Sequence, residues 1–181
     1  MNTEIELPCV LREDVSPKWT PNISATVINS NGNDIAQVNY FRHESPKQLF
    51  GIPVYACSAI RWVCISDRKQ IASEVIIRSH FPLTITTGSI QLFMQPKTLS
   101  VFPIYEFFNI NGDRLYSIKY HLTNIEFSNA KNDTICKMIK LKTHKSGFRM
   151  WNFIASNDAK TLDYRLVLGH LALSLMEAGC D

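Results

Sequence analysis

Two periodicities divide the chain. From about residue 20 to residue 155, apolar and polar residues alternate in short runs separated by Asn, Gly, Pro and Asp, the pattern of β-strands joined by tight turns. From residue 162 to residue 178 the alternation stops. There Leu162, Leu166, Val167, Leu168, Leu171, Ala172, Leu173, Leu175, Met176 and Ala178 occupy most sides of a helix. A helix that is apolar all round is buried, in a protein core or in a membrane. Thr161 or Asp163 suits its N-cap and Gly179 its C-terminal stop.

The first hairpin has arms at residues 25–28 and 35–40 around Asn31-Gly32, a dipeptide that supplies the positive φ angles of a tight turn. In its second arm Ile35 shares a face with Gln37 and Asn39, and Ala36, Val38 and Tyr40 take the other. Strands are expected at 54–65, 71–78, 81–87 and 89–94. A second hairpin spans 103–120 and turns at Asn111-Gly112-Asp113, a third spans 124–143 and turns through 129–133, and a last strand covers 148–155. Residues 44–53, with Pro46 and Pro53, read as a loop. Residues 1–20 read as an arm with at most a short edge strand around residues 5–11. The frame from Asn29 through Asn31, Gly32, Ile35 and Val38 to Tyr40 recurs from Asn109 through Asn111, Gly112, Leu115 and Ile118 to Tyr120, and more weakly from Asn129. Shared turn chemistry or an old duplication would each produce this.

The helix could span a membrane, pack on an open sheet, or thread a closed barrel. Arg165, His170 and Glu177 would be costly at membrane depth, and the polar positions do not form the wide stripe that an open sheet would leave. The expected fold is therefore all-β and antiparallel: about twelve strands in a barrel or strongly curved sheet enclosing a buried C-terminal helix. Its organisation is an arm at 1–20 followed by a single domain at 21–181.

At this point two stretches acquire a family likeness. Residues 105–118, Tyr-Glu-Phe-Phe-Asn-Ile-Asn-Gly-Asp-Arg-Leu-Tyr-Ser-Ile, and residues 163–177, the apolar helix ending in an acidic residue, resemble the Tubby C-terminal-like superfamily. That group includes the Tubby domain, the phospholipid scramblases and the LURP-one-related proteins. The resemblance implies a twelve-stranded barrel around a central C-terminal helix; within the group, Tubby domains bind phosphoinositide or acidic-lipid head groups, and no residue of this chain matches a Tubby site. The chain lacks the Pro-rich arm and cysteine cluster of animal scramblases and the closing motif of Tubby proteins, so neither scrambling nor Tubby-type signalling carries over.

Composition narrows the field only a little. The length of 181 residues suits one domain, and a formal charge of +3 is too mild to select a partner. The start is acidic, without the apolar core of a secretory signal. Cys9, Cys57, Cys64, Cys136 and Cys180 form no CxxC pair, which favours free thiols over a disulfide framework or a zinc site. A cytoplasmic location is expected, with the nucleus or a peripheral membrane position as alternatives.

Charge is most uneven over residues 131–149. Lys137, Lys140, Lys142, Lys145 and Arg149 are the candidate anion-binding residues, joined by Lys131 and His144 against Asp133 alone. Lys140 and Lys142 share a face opposite Ile139 and Leu141, and Lys137 falls on the apolar parity. Such a cluster suits an anionic membrane surface or a phosphoinositide, or it is a solvated strand face. Phe148, Trp151 and Phe153 beside it are better explained as core than as base-stacking rings, which disfavours nucleic acid. His170 is expected to be buried, neutral and bonded to a strand or to Glu177, and Arg165 to meet a carboxylate at the barrel mouth or to stay in solvent. No nucleophile elbow, phosphate loop or dinucleotide fingerprint is present, and no cofactor or metal is implied. The expected function is a non-enzymatic module that binds acidic lipid through a basic hairpin, or an adaptor of the same fold that binds a protein partner instead.

Overall fold

A computed structural model describes residues 4–14, 24–49, 52–64, 71–77, 81–97, 101–141, 148–156 and 158–177. Its elements are β1 (Glu4–Glu6), β2 (Cys9–Asp14), β3 (Ser24–Asn29), β4 (Asp34–Leu49), β5 (Ile52–Cys64), β6 (Ile71–Ile77), β7 (Leu83–Thr87), β8 (Ile90–Pro96), β9 (Ile104–Phe108), β10 (Arg114–Tyr120), β11 (Asn124–Asn129), β12 (Thr134–Lys140), β13 (Phe148–Ala155), β14 (Thr161–Asp163) and α1 (Tyr164–Glu177). Strands β2 to β13 follow one another around a closed twelve-stranded antiparallel barrel. The seam closes where β13 pairs with β2, with Arg149 opposite Glu13 and Phe153 opposite Cys9. Outside the barrel β1 pairs with β14, Ile5 lying opposite Leu162.

Every second residue points inward, because side chains alternate across a strand. The inner rows include Cys9 and Leu11, Ala25 and Val27, Ala36, Val38 and Tyr40, Val75, Leu83 and Ile85, Leu92 and Met94, Phe127, and Phe153, all buried. They close on α1, whose residues from Tyr164 to Leu173 are buried without exception. Tyr164 stacks on Trp62 with ring centroids 4.7 Å apart. Gly169 lets the helix approach Phe107 and Met94 more closely than any side chain would allow. The outward rows carry Arg12, Arg61, Glu74, Glu126 and Lys137. This is the reverse of a transmembrane barrel, which is apolar outside. No described helix is long and apolar enough to cross a membrane.

One turn design is used three times. In the turns that start at Asn29, Asn109 and Asn129, the asparagine Oδ1 accepts the backbone N–H groups two and four residues on, at 2.9–3.1 Å. The fourth residue has positive φ: Gly32 (81°), Gly112 (84°) and Asn132 (69°). Each turn is followed by one register shift in its hairpin. The turns are thus five-residue frames with a bulge, not two-residue turns with both central residues at positive φ. The leading asparagine, rather than the Asn-Gly pair, organises them, which is why the Asn129 turn belongs to the set despite lacking the glycine.

Two expectations need correction. Residues 9–14 are not part of an arm; β2 is the stave that closes the barrel. Residues 44–49 and 52–53 are not loop, since β4 runs to Leu49 and pairs with β5 down to Leu49 opposite Ile52; residues 50 and 51 lie outside the described residues. The register breaks between Glu44 and Gln48, the stretch that holds Pro46, whose ring nitrogen has no hydrogen to give a ladder. The helix begins at Tyr164, and Asp163 is its cap: Oδ1 accepts the Arg165 N–H at 3.0 Å. Thr161 lies in β14 instead.

Candidate functional site

The barrel has two unlike ends. The Asn-led turns and the start of α1 occupy one, hereafter the turn end. At the other, the loop end, lie the last residues of β2, β8, β10 and β12, the first residues of β9, β11 and β13, and the C-terminal end of α1. The described candidate basic residues, Lys137, Lys140 and Arg149, divide between the outer wall and the rim of the loop end.

Lys137 is on the outer wall. Its Nζ lies 3.1 Å from Glu126 Oε1, and His121 Nε2 lies 3.0 Å from Oε2 of the same carboxylate. Partial burial would raise the Glu126 pKa, but the contacts from Lys137 and His121 outweigh it and hold it below the usual carboxylate range. Lys137 is therefore engaged. The sequence leaves β12 ambiguous because Ile135, Ile139 and Leu141 compete with Cys136 and Met138 for the inner face. The partner strands decide: Phe127 opposes Cys136 and Phe153 opposes Met138, so the Cys136–Met138 row turns inward. The apolar parity on which Lys137 was expected to be out of place is in fact the outside.

Lys140 continues the inner row of Cys136 and Met138 and emerges, exposed, at the rim of the loop end. It lies opposite Trp151, and Arg149 lies on the next strand opposite Glu13. Arg149 Nη1 is 3.6 Å from Glu13 Oε2. Lys142 and Lys145 lie outside the described residues, between the ends of β12 and β13 that carry Lys140 and Arg149.

Beneath this rim is a buried polar cluster that the sequence did not reveal. Tyr120 Oη lies 2.8 Å from His170 Nδ1, and the Trp151 ring meets the imidazole edge-on. His170 Nε2 is 3.9 Å from Glu13 Oε1. His170 is 2 % exposed and Glu13 6 % exposed. Burial, and then the charge of Arg149, push the His170 pKa down to about 3, so the imidazole is neutral and its contact with Glu13 is not an ion pair. Burial pushes the Glu13 pKa up; the Trp151 indole N–H, which faces it without closing a full hydrogen bond, and the charges of Arg149 and Lys140 pull it back. Glu13 Oε1, Trp151 Nε1 and His170 Nε2 are buried without a hydrogen-bond partner among the described residues. His170 thus takes the expected state, with Tyr120 of β10 as its strand partner. Arg165 finds its carboxylate in Asp163, at the turn end, with Nε 2.9 Å from Oδ1. Phe153 is in the core, which removes it from any stacking role.

The sequence missed Glu13 because a charged residue ends the inner row of Cys9 and Leu11 and so spoils the alternation that would have marked a strand. Tyr120 closes the repeated hairpin frame, but its meeting with His170 is a product of the closed barrel. No family model, curated protein or solved structure matches the chain.

Proposed function

We propose that the loop end of the barrel is a non-catalytic docking surface for anionic lipid, either phosphoinositide or acidic phospholipid in general. The observation that carries this reading is the placement of Lys140 and Arg149. They stand on adjacent strands at one rim, at the two ends of the stretch that also contains Lys142, His144 and Lys145. Near an anionic membrane each such charge contributes roughly 1 kcal/mol, so this group together suits reversible, salt-sensitive association. The helix fills the barrel, which disfavours a carrier that encloses a lipid. The likeness of residues 105–118 and 163–177 to the Tubby C-terminal-like superfamily supports the same reading.

The test is co-sedimentation with phosphatidylcholine vesicles, with and without phosphoinositide or phosphatidylserine, at low and moderate salt. Binding should require the anionic lipid, weaken with salt and be lost on changing Lys140, Lys142 and Lys145 to Glu. Lys137→Glu should have a smaller effect, because Lys137 already faces Glu126. No binding at low salt would sink the proposal.

The adaptor reading has one observation in its favour. A shallow cavity of about 350 Å³ opens on the outer wall between Pro8, Val10, Ile28, Met150 and Asn152, and the exposed Ile139 and Ile154 lie close to it on β12 and β13. A pull-down that fails on changing Met150 and Ile154 to Asp, with vesicle binding absent throughout, would favour a protein partner.

A further inference from the structure

Most large apolar side chains among the described residues are covered, yet the loop end exposes three on adjoining segments. Val101 is 96 % exposed, Leu122 94 % and Phe102 36 %. Val101 and Phe102 precede β9, and Leu122 lies between β10 and β11. The two segments are fastened to each other. The Tyr120 N–H donates to the Pro103 carbonyl at 3.0 Å, and within the Leu122 segment itself the His121 N–H donates to the Asn124 carbonyl at 2.9 Å. The Phe102 ring lies 5.5 Å from the His121 ring. Along the rim the next strand after Leu122 and β11 is β12, which ends in Lys140, and then β13, which starts next to Arg149. Apolar tips and basic rim are therefore neighbours on one end of the molecule.

Single exposed apolar residues are common on protein surfaces; a group fixed on adjoining segments marks an interaction site. The shape of this group selects its occupant. The Val101 and Leu122 side chains stand almost wholly in solvent, so a folded protein partner would need a matching hollow for each. The hydrocarbon edge of a bilayer is fluid and needs none, and acidic headgroups would complement the adjacent Lys140 and Arg149. Interfacial binding of this kind gains from buried apolar area and from attraction to anionic lipid together.

We propose that Val101, Phe102 and Leu122 enter the interfacial hydrocarbon of an anionic bilayer while the two rim residues Lys140 and Arg149 rest on its headgroups. This deepens the lipid-docking reading and rests on it: the rim supplies a salt-sensitive part of the binding and the tips a salt-resistant part. The turn end provides an internal control, because Ile110 there is 76 % exposed but sits in a hairpin turn away from the basic rim.

The experiment uses the full chain and vesicles of phosphatidylcholine with phosphatidylserine or phosphoinositide. The double variant Val101→Asp with Leu122→Asp should partition at least about tenfold more weakly, as expected from losing the burial of two aliphatic side chains. What binding remains should vanish at moderate salt. Ile110→Asp should bind as the wild type does, and all three positions are exposed, so thermal unfolding should be unchanged. A tryptophan at position 122 (Leu122→Trp) should be quenched by lipids brominated along the acyl chain beyond the background of the native tryptophans, and Ile110→Trp should not. If the wild type binds anionic vesicles but the double variant binds equally well, or Leu122→Trp is not quenched, insertion is wrong and headgroup docking stands. Absence of wild-type binding overturns both. Self-association of the chain that depends on Leu122, without quenching, would reassign the tips to a protein interface.

Discussion

Gly169 offers the sharpest test of how the helix sits in the barrel, because two known effects oppose each other there. It lies inside α1, where replacing Gly by Ala in an isolated helix gains about 1 kcal/mol. In this protein a Cβ at position 169 would lie 2.6 Å from Phe107 Cζ, 2.8 Å from Phe107 Cε1 and 3.0 Å from Met94 Sδ. Phe107 and Met94 are fully buried, so neither can swing into solvent. Overpacking a tight core costs about 1–3 kcal/mol, and contacts this short belong at the upper end. Subtracting the propensity gain leaves Gly169→Ala destabilising by about 2 kcal/mol. Urea unfolding followed by far-ultraviolet circular dichroism should show a lower midpoint with an unchanged slope. Adding Phe107→Leu should make the double variant less destabilised than the sum of the two by about 1 kcal/mol, since the ring is what the new methyl strikes. A Gly169→Ala protein as stable as the wild type, or more so, would refute this seating of the helix against β8 and β9.

Other consequences can be measured on the same footing. His170 has a folded pKa of about 3 against an ordinary imidazole value of about 6.5, so the unfolded chain takes up the proton first and stability should fall as pH drops from about 6.5 toward 3, by at most about 1.4 kcal/mol per pH unit. Glu13 acts in the opposite sense because its folded pKa is raised: the fold gains as pH falls through that value. Glu13→Gln should therefore steepen the acid loss and His170→Gln should flatten it, as read from urea midpoints between about pH 4 and 7; parallel curves for all three proteins would contradict the assignment. Asn132 occupies the positive-φ position that Gly32 and Gly112 fill in the sister turns, so Asn132→Gly should raise stability by up to about 1 kcal/mol, and a measured loss would count against the shared turn geometry. Leu171→Asp places an unpaired charge in the core at a cost comparable to the whole stability of a domain. It should not fold, and a soluble variant with a cooperative melt would break the central-helix architecture.

Sequence alone was enough for whatever depends on neighbours along the chain. Alternation marked Ala36, Val38 and Tyr40 as one inner row, and the all-round apolar face of residues 162–178 demanded a container. The repeat of Asn29 and Asn109 announced a shared turn, because an asparagine side chain satisfies backbone N–H groups only two and four residues away. Closure was another matter. The pairing of β2 with β13 joins opposite ends of the chain, and nothing local signals it. Both parities of β12 are apolar, so only Phe127 and Phe153, contributed by other strands, could select the inner one. Glu13, Tyr120, Trp151 and His170 come from four elements and meet only once the barrel has closed around the helix. The basic residues were legible as a count, but their meaning was not: tertiary contact engaged Lys137 with Glu126 and brought Lys140 and Arg149 to one rim beside Leu122. A strand's period is a local property of its backbone; which strands lie side by side, and what their ends face, follows from burial shared across the whole molecule.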